Sequence, residues 1–328
     1  MMYLQVFGGF ILILGGAEFM VRGAVSLADR LGVSKLVIGM TVVAFGTSAP
    51  ELLVSLNAAL SGSSALAIGN VVGSNVANIL LILGVSGILM PVACVPGTLV
   101  RDGWMLLAGT AFFMVLSLRG EIDLWAGGAL LIYFSGFMIY SYMREKFGGN
   151  GAAGMHIHEA EDISDIPPDI PHTLWMTCIY LIGGFAGLIY GAELLVEGGV
   201  AIARTFSVSE AVIGLTVIAF GTSLPELAAS VVAAYRKHAD VAVGNVVGSN
   251  IFNVVGIVGV VAVITPMEVP ARVINLDIWV MAAATLALMP FMIGRQEELG
   301  RPVATVFLIA YIAYIAAIGM GVDRLIPD

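Results

Sequence analysis

The chain contains 328 residues, of which 59% are hydrophobic and only 11% are charged. The charged fraction is well below the quarter that is usual in soluble domains, and the mean hydropathy is +1.00. Together they exclude an ordinary soluble domain. We therefore expect the chain to lie in a lipid bilayer, and its net charge of −9 argues against nucleic acid as a partner.

The first apolar segment covers residues 4 to 27. It is long enough to cross a membrane, since a helix needs about 20 apolar residues to do so. No lysine or arginine precedes Arg22. The segment therefore lacks the basic start of a secretory signal, and we predict that it is retained as the first membrane helix.

The second segment, residues 36 to 60, contains the sequence GTSAPE near its middle. Pro50 lacks the N–H that would bond the carbonyl of Gly46, so the helix is predicted to break in the Gly-Thr-Ser stretch. The break would leave carbonyl oxygens from Ala44 to Thr47 without partners, and in lipid such groups require protein, water or a ligand. Glu51 follows directly, and a carboxylate inside a membrane span indicates a functional site.

The third segment, residues 65 to 90, contains the sequence GNVVGSNVAN. Its two glycines are spaced to let helices pack closely. Ser74 and Asn78 lie four residues apart and therefore share one helix face. Their oxygens would either complete the shell of a cation bound at the broken helix or form hydrogen bonds between helices. We favour ligation for these two residues and a structural role for Asn70 and Asn75.

Segments at residues 103 to 118 and 124 to 142 complete the first half of the chain. Residues 147–172 then combine glycine, proline, histidine and acidic residues without a helical period, which is typical of a loop. We predict a cytoplasmic linker. Its acidic and histidine residues, such as His156 and Glu159, would allow a regulatory metal site, although a solvated tether is the favoured interpretation.

The second half repeats the first at an offset of 175 residues. Between residues 39 and 84, 25 of 46 positions are identical to their equivalents, which indicates an internal duplication. The two motifs recur as GTSLPE, which ends at Glu226, and GNVVGSNIFN, which ends at Asn253. By equivalence we favour ligation for Ser249 and Asn253 and a structural role for Asn245 and Asn250. The apolar segments of this half cover residues 174–198, 209–234, 240–264, 275–293 and 303–321.

Each half thus has five predicted spans, and an odd number reverses the orientation of the second copy in the membrane. Lysine and arginine accumulate on the cytoplasmic side of membrane proteins. With the N-terminus outside, nine such residues fall in inner loops and four in outer loops. We predict an all-α integral protein of the cell membrane with ten transmembrane helices and both termini outside. Residues 1–146 and 173–328 form its two inverted five-helix repeats.

Two glutamates at equivalent positions, Glu51 and Glu226, are the main candidates for a cation site. Carboxylate, hydroxyl and carbonyl oxygens are the ligands that hard cations such as Na⁺ and Ca²⁺ prefer, and two carboxylates balance one Ca²⁺. The alternative is that both are protonated and bond across a helix interface. Glu18 and Glu193 also repeat, but no proline break accompanies them, and we leave them out of the site.

These motifs resemble those of the sodium/calcium exchangers of the calcium/cation antiporter superfamily, whose repeats carry GTSxPE and GSNxxxN-like sequences. The resemblance covers residues 39 to 84 and 214 to 259, and it implies ten transmembrane helices. For Ca²⁺ it implies the ligands Glu51, Glu226, Thr47 and Thr222. For Na⁺ it implies Ala44, Ser48, Ser74, Asn78, Ala219, Ser223, Ser249 and Asn253.

The chain departs from the family at Asn253, where several members have an aspartate. The site then carries a charge of at most −2, from its two glutamates. This departure leaves the dependence on K⁺, the ion stoichiometry and competition by protons open.

The resulting hypothesis is a secondary active antiporter, not an enzyme, that exchanges Na⁺ for Ca²⁺ by alternating access. The first and sixth spans are expected to slide across the core that holds the site. A proton-coupled Ca²⁺ or cation antiporter is the alternative, while an intramembrane hydrolase or a passive channel agrees less well with the paired acids. No cofactor is expected, because the two cysteines have neither disulfide nor zinc-site spacing. The oligomeric state is left open.

Overall fold

The computed structural model describes residues 2–93, 98–147, 171, 173–206, 219–294 and 298–320. The predicted linker lies almost entirely outside these residues. Residues 207–218 lie outside them too, and they include the first part of the predicted second span of the second half, residues 209–218.

The described residues of the first half form six helices. In chain order they are α1 (Met2–Leu31), α2 (Lys35–Thr47), α3 (Ala49–Leu60), α4 (Ser64–Leu89), α5 (Thr98–Ser117) and α6 (Leu124–Phe147). The α5 helix begins before the predicted start near residue 103. This extension is possible because Arg101 pairs with the fully buried Asp102, so two charges that interrupt the apolar pattern are accommodated inside the protein.

The second half also forms six helices within the described residues. They are α7 (Leu174–Thr205), α8 (Ala219–Thr222), α9 (Leu224–Tyr235), α10 (Ala239–Ile264), α11 (Val273–Met292) and α12 (Arg301–Gly319). Across the described part of the chain, eight helices are long and apolar enough to cross a membrane, and a ninth span results if α2 and α3 are counted together. The protein is therefore a helical, multi-pass membrane protein.

Four two-residue strands join the two halves outside the long helices. They are β1 (Val92–Ala93), β2 (Glu121–Ile122), β3 (Met267–Glu268) and β4 (Glu298–Leu299). The first pairs with the fourth and the second with the third, both antiparallel. The sequence analysis did not predict them, because a two-residue strand is too short to show an alternating pattern.

The α1 and α7 helices, which hold equivalent positions in the two halves, pack along a line of glycines. A Cβ atom added to Gly16 would lie 2.7 Å from the backbone nitrogen of Leu188, and one added to Gly9 would lie 2.7 Å from the carbonyl oxygen of Gly191. Residue numbers rise along one helix as they fall along the other, so the two helices are antiparallel. Glycine allows this approach because it has no side chain.

The centre of the molecule is formed by α4 and α10, which are the most buried of the long helices. Asn75 of α4 donates a hydrogen bond of 3.0 Å to the carbonyl oxygen of Asn250 in α10. Each helix also contains one π-helical stretch, Ala77–Ile82 in α4 and Phe252–Ile257 in α10. Such wider turns are frequent at functional sites, and these two contain Asn78 and Asn253.

Candidate cation-binding site

The helix breaks predicted in the two proline motifs are confirmed, and each occurs at the serine of its motif. Ser48 separates α2 from α3, which are bent by 44° relative to each other, and its backbone has φ −86° and ψ 7°. Ser223 separates α8 from α9 with nearly the same angles, φ −88° and ψ 3°. Each break starts a new helix just ahead of the glutamate.

One detail of that prediction is wrong, because the carbonyl oxygen of Ala44 does have a partner. It accepts a hydrogen bond of 3.0 Å from the backbone N–H of Ser48. The helix ends only at Thr47, so the bond from residue 48 to residue 44 survives the break. A carbonyl oxygen has two lone pairs, and Ala44 can therefore contact an ion only with its remaining acceptor capacity.

Glu51 and Glu226 occupy the first turns of α3 and α9. Each is only 1% exposed, and the Oε2 atom of each has no hydrogen-bond partner among the described residues. Ser48, three residues before Glu51, contacts Glu226 directly. Burying an ionised carboxylate costs several kcal/mol unless an opposite charge compensates it. The pair therefore forms an environment in which a divalent cation is favoured.

Hydroxyl groups of the first broken helix reach into the second half of the molecule. Ser48 Oγ donates a hydrogen bond of 2.9 Å to Oε1 of Glu226. Thr47 Oγ1 donates one of 3.1 Å to Oδ1 of Asn245. Both hydroxyls are buried. The candidate residues of one half are thus in direct contact with the acidic group, and with its neighbours, in the other half.

The amides and serines of α4 and α10 supply neutral polar atoms. Asn78 donates a hydrogen bond of 3.1 Å from Nδ2 to Oδ1 of Asn250, while its own Oδ1 is unpaired within the described structure. Asn253 has no partner for either polar side-chain atom there, and the same holds for Oγ of Ser249. Buried polar atoms are normally hydrogen-bonded, so these unpaired atoms are candidates for contact with a ligand.

The other predicted ligands lie in the same elements. Ser74 and Ser223 are buried, and Thr222 is half-buried. Ala219 starts α8, but its side chain lies outside the described part of the structure. In the described chain no three His, Cys, Asp or Glu residues form a metal-binding group. Any ion here would take its further ligands from neutral oxygens.

The glycine pair in each copy of the GNVVG sequence was predicted to allow close packing. The structure confirms this for the copy in α10. A Cβ atom added to Gly244 would lie 2.6 Å from the carbonyl oxygen of Leu36, and one added to Gly248 would lie even closer to the backbone of Met40. The equivalent Gly69 and Gly73 have no such neighbour among the described residues.

Sequence reasoning assigned only a structural role to Asn245, yet this residue contacts two candidate site residues. Besides accepting the bond from Thr47, it donates to the carbonyl oxygen of Glu226 at 3.4 Å and to Oγ of Ser230 at 3.0 Å. The sequence carried one signal for this contact. The asparagine follows the glutamate at the same distance in both halves, from Glu51 to Asn70 and from Glu226 to Asn245.

The remaining repeated glutamate of the first half, Glu18, lies outside this cluster. Its carboxylate pairs with Arg22 of the same helix and with Arg236, which follows α9. With two arginines as partners, Glu18 is a contact between helices in this structure. Glu193, its equivalent in α7, is exposed.

Comparisons with known proteins identify one family. A family model described as sodium/calcium exchanger protein matches residues 1–143 and 176–320. The putative antiporter CaxA of Alkalimonas amylolytica is 38% identical over 308 residues, which are 93% of this chain and 95% of that protein. The sodium/calcium exchanger MaX1 of Methanosarcina acetivorans is 30% identical over 337 residues, covering 94% and 96% of the two chains.

Solved structures give a similar result. A structure of the sodium-calcium exchanger NCX_Mj, soaked with Na⁺ and Ca²⁺, superposes with a TM-score of 0.82 at 32% sequence identity. The superposition covers 96% of this chain and 98% of that one.

Proposed function

Because the chain belongs to the sodium/calcium exchanger family, we propose that this membrane cation antiporter exchanges Na⁺ for Ca²⁺ at a site formed by Glu51 and Glu226. The observation that carries the proposal is the pair of buried carboxyl groups, each with an oxygen atom unpaired among the described residues. A Ca²⁺ ion would balance two carboxylates and satisfy both unpaired oxygens, and it prefers an all-oxygen shell.

The proposed architecture has ten spans in two inverted repeats, residues 1–146 and 173–328. The antiparallel packing of α1 against α7 supports it, since these helices hold equivalent positions in the two halves. The reciprocal pairing of β1 with β4 and of β2 with β3 supports it as well. In this arrangement both termini lie outside the cell, and the linker of residues 147–172 is cytoplasmic.

The proposed ligands follow the two broken helices and the facing helices α4 and α10. Ca²⁺ is bound by Glu51, Glu226, Thr47 and Thr222. Na⁺ ions are bound by Ala44, Ser48, Ser74, Asn78, Ala219, Ser223, Ser249 and Asn253. The Na⁺ ions require the same two charges as Ca²⁺, so the two loads exclude each other. Exchange follows from that exclusion.

Alternating access is assigned to the glycine-lined pair α1 and α7. Its close, side-chain-free contact allows the pair to slide as one unit past the core formed by the broken helices, α4 and α10. Movement with an empty site would bury two uncompensated carboxylates, which costs several kcal/mol per charge. The empty carrier therefore stays in place, and leakage of either ion is suppressed.

The test is ⁴⁵Ca²⁺ uptake into proteoliposomes that are loaded with Na⁺ and diluted into Na⁺-free buffer. We expect Glu226→Gln to abolish the uptake, because one of the two charges that balance Ca²⁺ is lost. Glu193→Gln is the matched control, since it makes the same change at an exposed glutamate. Sodium-driven uptake by Glu226→Gln at the wild-type rate would refute the site.

Coupling to protons is the second candidate function, and Asn253 is the observation that favours it. The site lacks a third carboxylate, so its ion coupling need not follow that of relatives with an aspartate there. A protonophore separates the two functions. Sodium coupling predicts uptake that persists when the protonophore abolishes the pH gradient, whereas proton coupling predicts that uptake requires a pH gradient and no Na⁺.

A further inference from the structure

Asn245 lies in α10 and is completely buried, yet its side chain connects three other elements of the site. Its Oδ1 accepts the hydrogen bond of Thr47 from the first broken helix. Its Nδ2 donates to the carbonyl oxygen of Glu226 and to the hydroxyl of Ser230, both in α9. One side chain thus holds residues of both halves of the chain.

The bond from Thr47 has a direct consequence for cation binding. A hydroxyl group contacts a cation through its oxygen lone pairs, so its proton must be donated elsewhere. Oδ1 of Asn245 lies 3.1 Å from Thr47 Oγ1, nearer than the other acceptor of this hydroxyl, the carbonyl oxygen of Ala44, at 3.4 Å. Asn245 therefore fixes the direction in which the Thr47 oxygen is available.

Two of the bonds of Asn245 recur at the equivalent residue of the first half. Asn70 donates to the carbonyl oxygen of Glu51 at 3.3 Å and to Oγ of Ser55 at 3.0 Å. These two bonds repeat those of Asn245 with Glu226 and Ser230, and they tie neighbouring helices together within one half. The bond to Thr47 differs from them because it crosses between the halves.

We propose that Asn245 is a positioning residue for Ca²⁺: it accepts the Thr47 proton, so that the Thr47 oxygen faces the ion. The proposal rests on the proposed function, in which Thr47 and Glu226 bind Ca²⁺. Partners of metal ligands typically change metal affinity by about 10- to 100-fold when they are replaced. The expected effect is therefore on ion affinity more than on the rate of the transport cycle.

The experiment measures KM and kcat for Na⁺-driven ⁴⁵Ca²⁺ uptake by purified variants of the full chain in proteoliposomes. Asn245→Leu removes the acceptor with little change in volume, and we expect it to raise KM for Ca²⁺ about tenfold while kcat changes less than about twofold. Asn245→Asp keeps an oxygen acceptor for Thr47, and we expect KM not to rise. Ser230→Ala removes only the bond from Asn245 to Ser230, which joins α10 to α9, and we expect KM within about twofold of wild type.

A second comparison tests whether Asn245 acts through Thr47. In a Thr47→Val background the hydroxyl is absent, so Asn245→Leu is expected to raise KM by less than about twofold further. Thermal unfolding in detergent establishes that each variant is folded. If Asn245→Leu does not fold, Asn245→Ala takes its place in both comparisons.

Three results would overturn the positioning role. They are an equal rise in KM for Asn245→Leu and Asn245→Asp, an equal rise for Ser230→Ala, and effects of Asn245 and Thr47 that multiply. Failure of the proposed function gives a different result, because wild type would then lack Na⁺-driven uptake or Glu226→Gln would retain it. The two failures are therefore distinguishable in the same set of vesicles.

Discussion

At the centre of the molecule, two carboxyl groups are removed from water without a compensating positive charge among the described residues. Glu51 and Glu226 are both buried. Arg101 forms an ion pair with Asp102, and Arg236 forms one with Glu18. Buried charges of this kind are retained in membrane proteins where an ion or substrate passes. Ion binding should therefore stabilise the folded protein strongly.

We expect Ca²⁺ to raise the unfolding temperature of the detergent-solubilised protein. At a concentration 100 times the dissociation constant, binding adds about 2.7 kcal/mol to the free energy of unfolding. Glu51→Gln should abolish the shift, while Glu193→Gln should preserve it, because Glu193 is exposed in α7. Differential scanning fluorimetry with Ca²⁺, and with EGTA to remove it, measures the effect. An undiminished shift in Glu51→Gln would contradict Ca²⁺ binding at this carboxylate.

His238 gives a second prediction, because it lies in the turn between α9 and α10. Burial and the neighbouring Lys35 and Arg236 lower the pKa of His238 to about 4, and the nearby Asp29 and Glu18 compensate only in part. The unfolded chain, with an ordinary histidine pKa of about 6.5, binds the proton more readily. Stability is therefore complete above pH 6.5 and is lost as the pH falls towards 4.

Replacing His238 with Gln should remove that contribution to acid sensitivity. We expect the unfolding temperature of His238→Gln to fall less than that of wild type between pH 7 and pH 4.5, with equal values near pH 7 apart from a constant offset. Thermal unfolding in detergent at the two pH values tests this. A parallel fall in both proteins would show that His238 does not contribute.

At the scale of the helices, the contact between α1 and α7 depends on glycines at particular positions. Gly16 faces the backbone of α7, whereas the adjacent Gly15 has no neighbour within 4 Å among the described residues. We expect Gly16→Ala to force the helices apart, lower the unfolding temperature and slow Ca²⁺ exchange. Gly15→Ala should be neutral or stabilising, because alanine is favoured over glycine in a helix by about 1 kcal/mol. Equal effects of the two variants would argue against a close sliding contact.

The elements of the fold could be predicted well where one local property determines them. Long apolar segments predicted membrane spans. Pro50 and Pro225 predicted the two helix breaks, because proline removes a hydrogen-bond donor. Element ends were less predictable: α5 starts early because of the pair between Arg101 and Asp102, a contact that needs the folded structure. The two-residue strands have no pattern of their own to detect.

The site itself could be predicted only in part, for a related reason. The duplication identifies equivalent residues in the two halves, but it does not tell which residues of one half contact which residues of the other. The bonds from Ser48 to Glu226 and from Thr47 to Asn245 both cross between the halves. Asn245 was therefore placed among the structural residues, although it touches candidate ligands.

At the scale of the whole molecule, the two halves are equivalent in sequence but differ in packing. Helix α1 covers α9, so Ala228 of α9 is only 9% exposed. The equivalent residue of α3 is Leu53, which is 60% exposed. In the proposed inverted-repeat architecture, this structure corresponds to one of two states, with α1 closed over α9.

An ion pair is present on the closed side and has no counterpart on the other. Arg236 donates to Oε2 of Glu18 at 3.0 Å and pairs with its other oxygen as well. In the other half Glu193 is the equivalent of Glu18, but Ser61 takes the place of Arg236. The pair stabilises the observed state alone. Arg22 also pairs with Glu18, so opening this contact does not leave the carboxylate bare.

We expect Arg236→Ser to shift the equilibrium towards the opposite state. Apparent affinity scales with the fraction of molecules that face a given side, so KM for Ca²⁺ should fall on the face where Arg236 lies and rise on the other face. Since Arg236 is 44% exposed, the shift should be modest, about two- to fivefold. Ser61→Arg, which offers Glu193 an arginine, should shift both values in the same directions by stabilising the opposite state.

The measurement is Ca²⁺ uptake in vesicles sorted by protein orientation, with KM determined at each face. Lys237→Gly is the matched control: it removes a neighbouring cation and copies Gly62 of the other half. Its backbone has φ 61°, a conformation that glycine adopts without strain. Because the ion pair changes only the balance between two states, KM must move in opposite directions at the two faces. A change in the same direction at both faces would place the effect of Arg236 on the ion site and not on the conformational equilibrium.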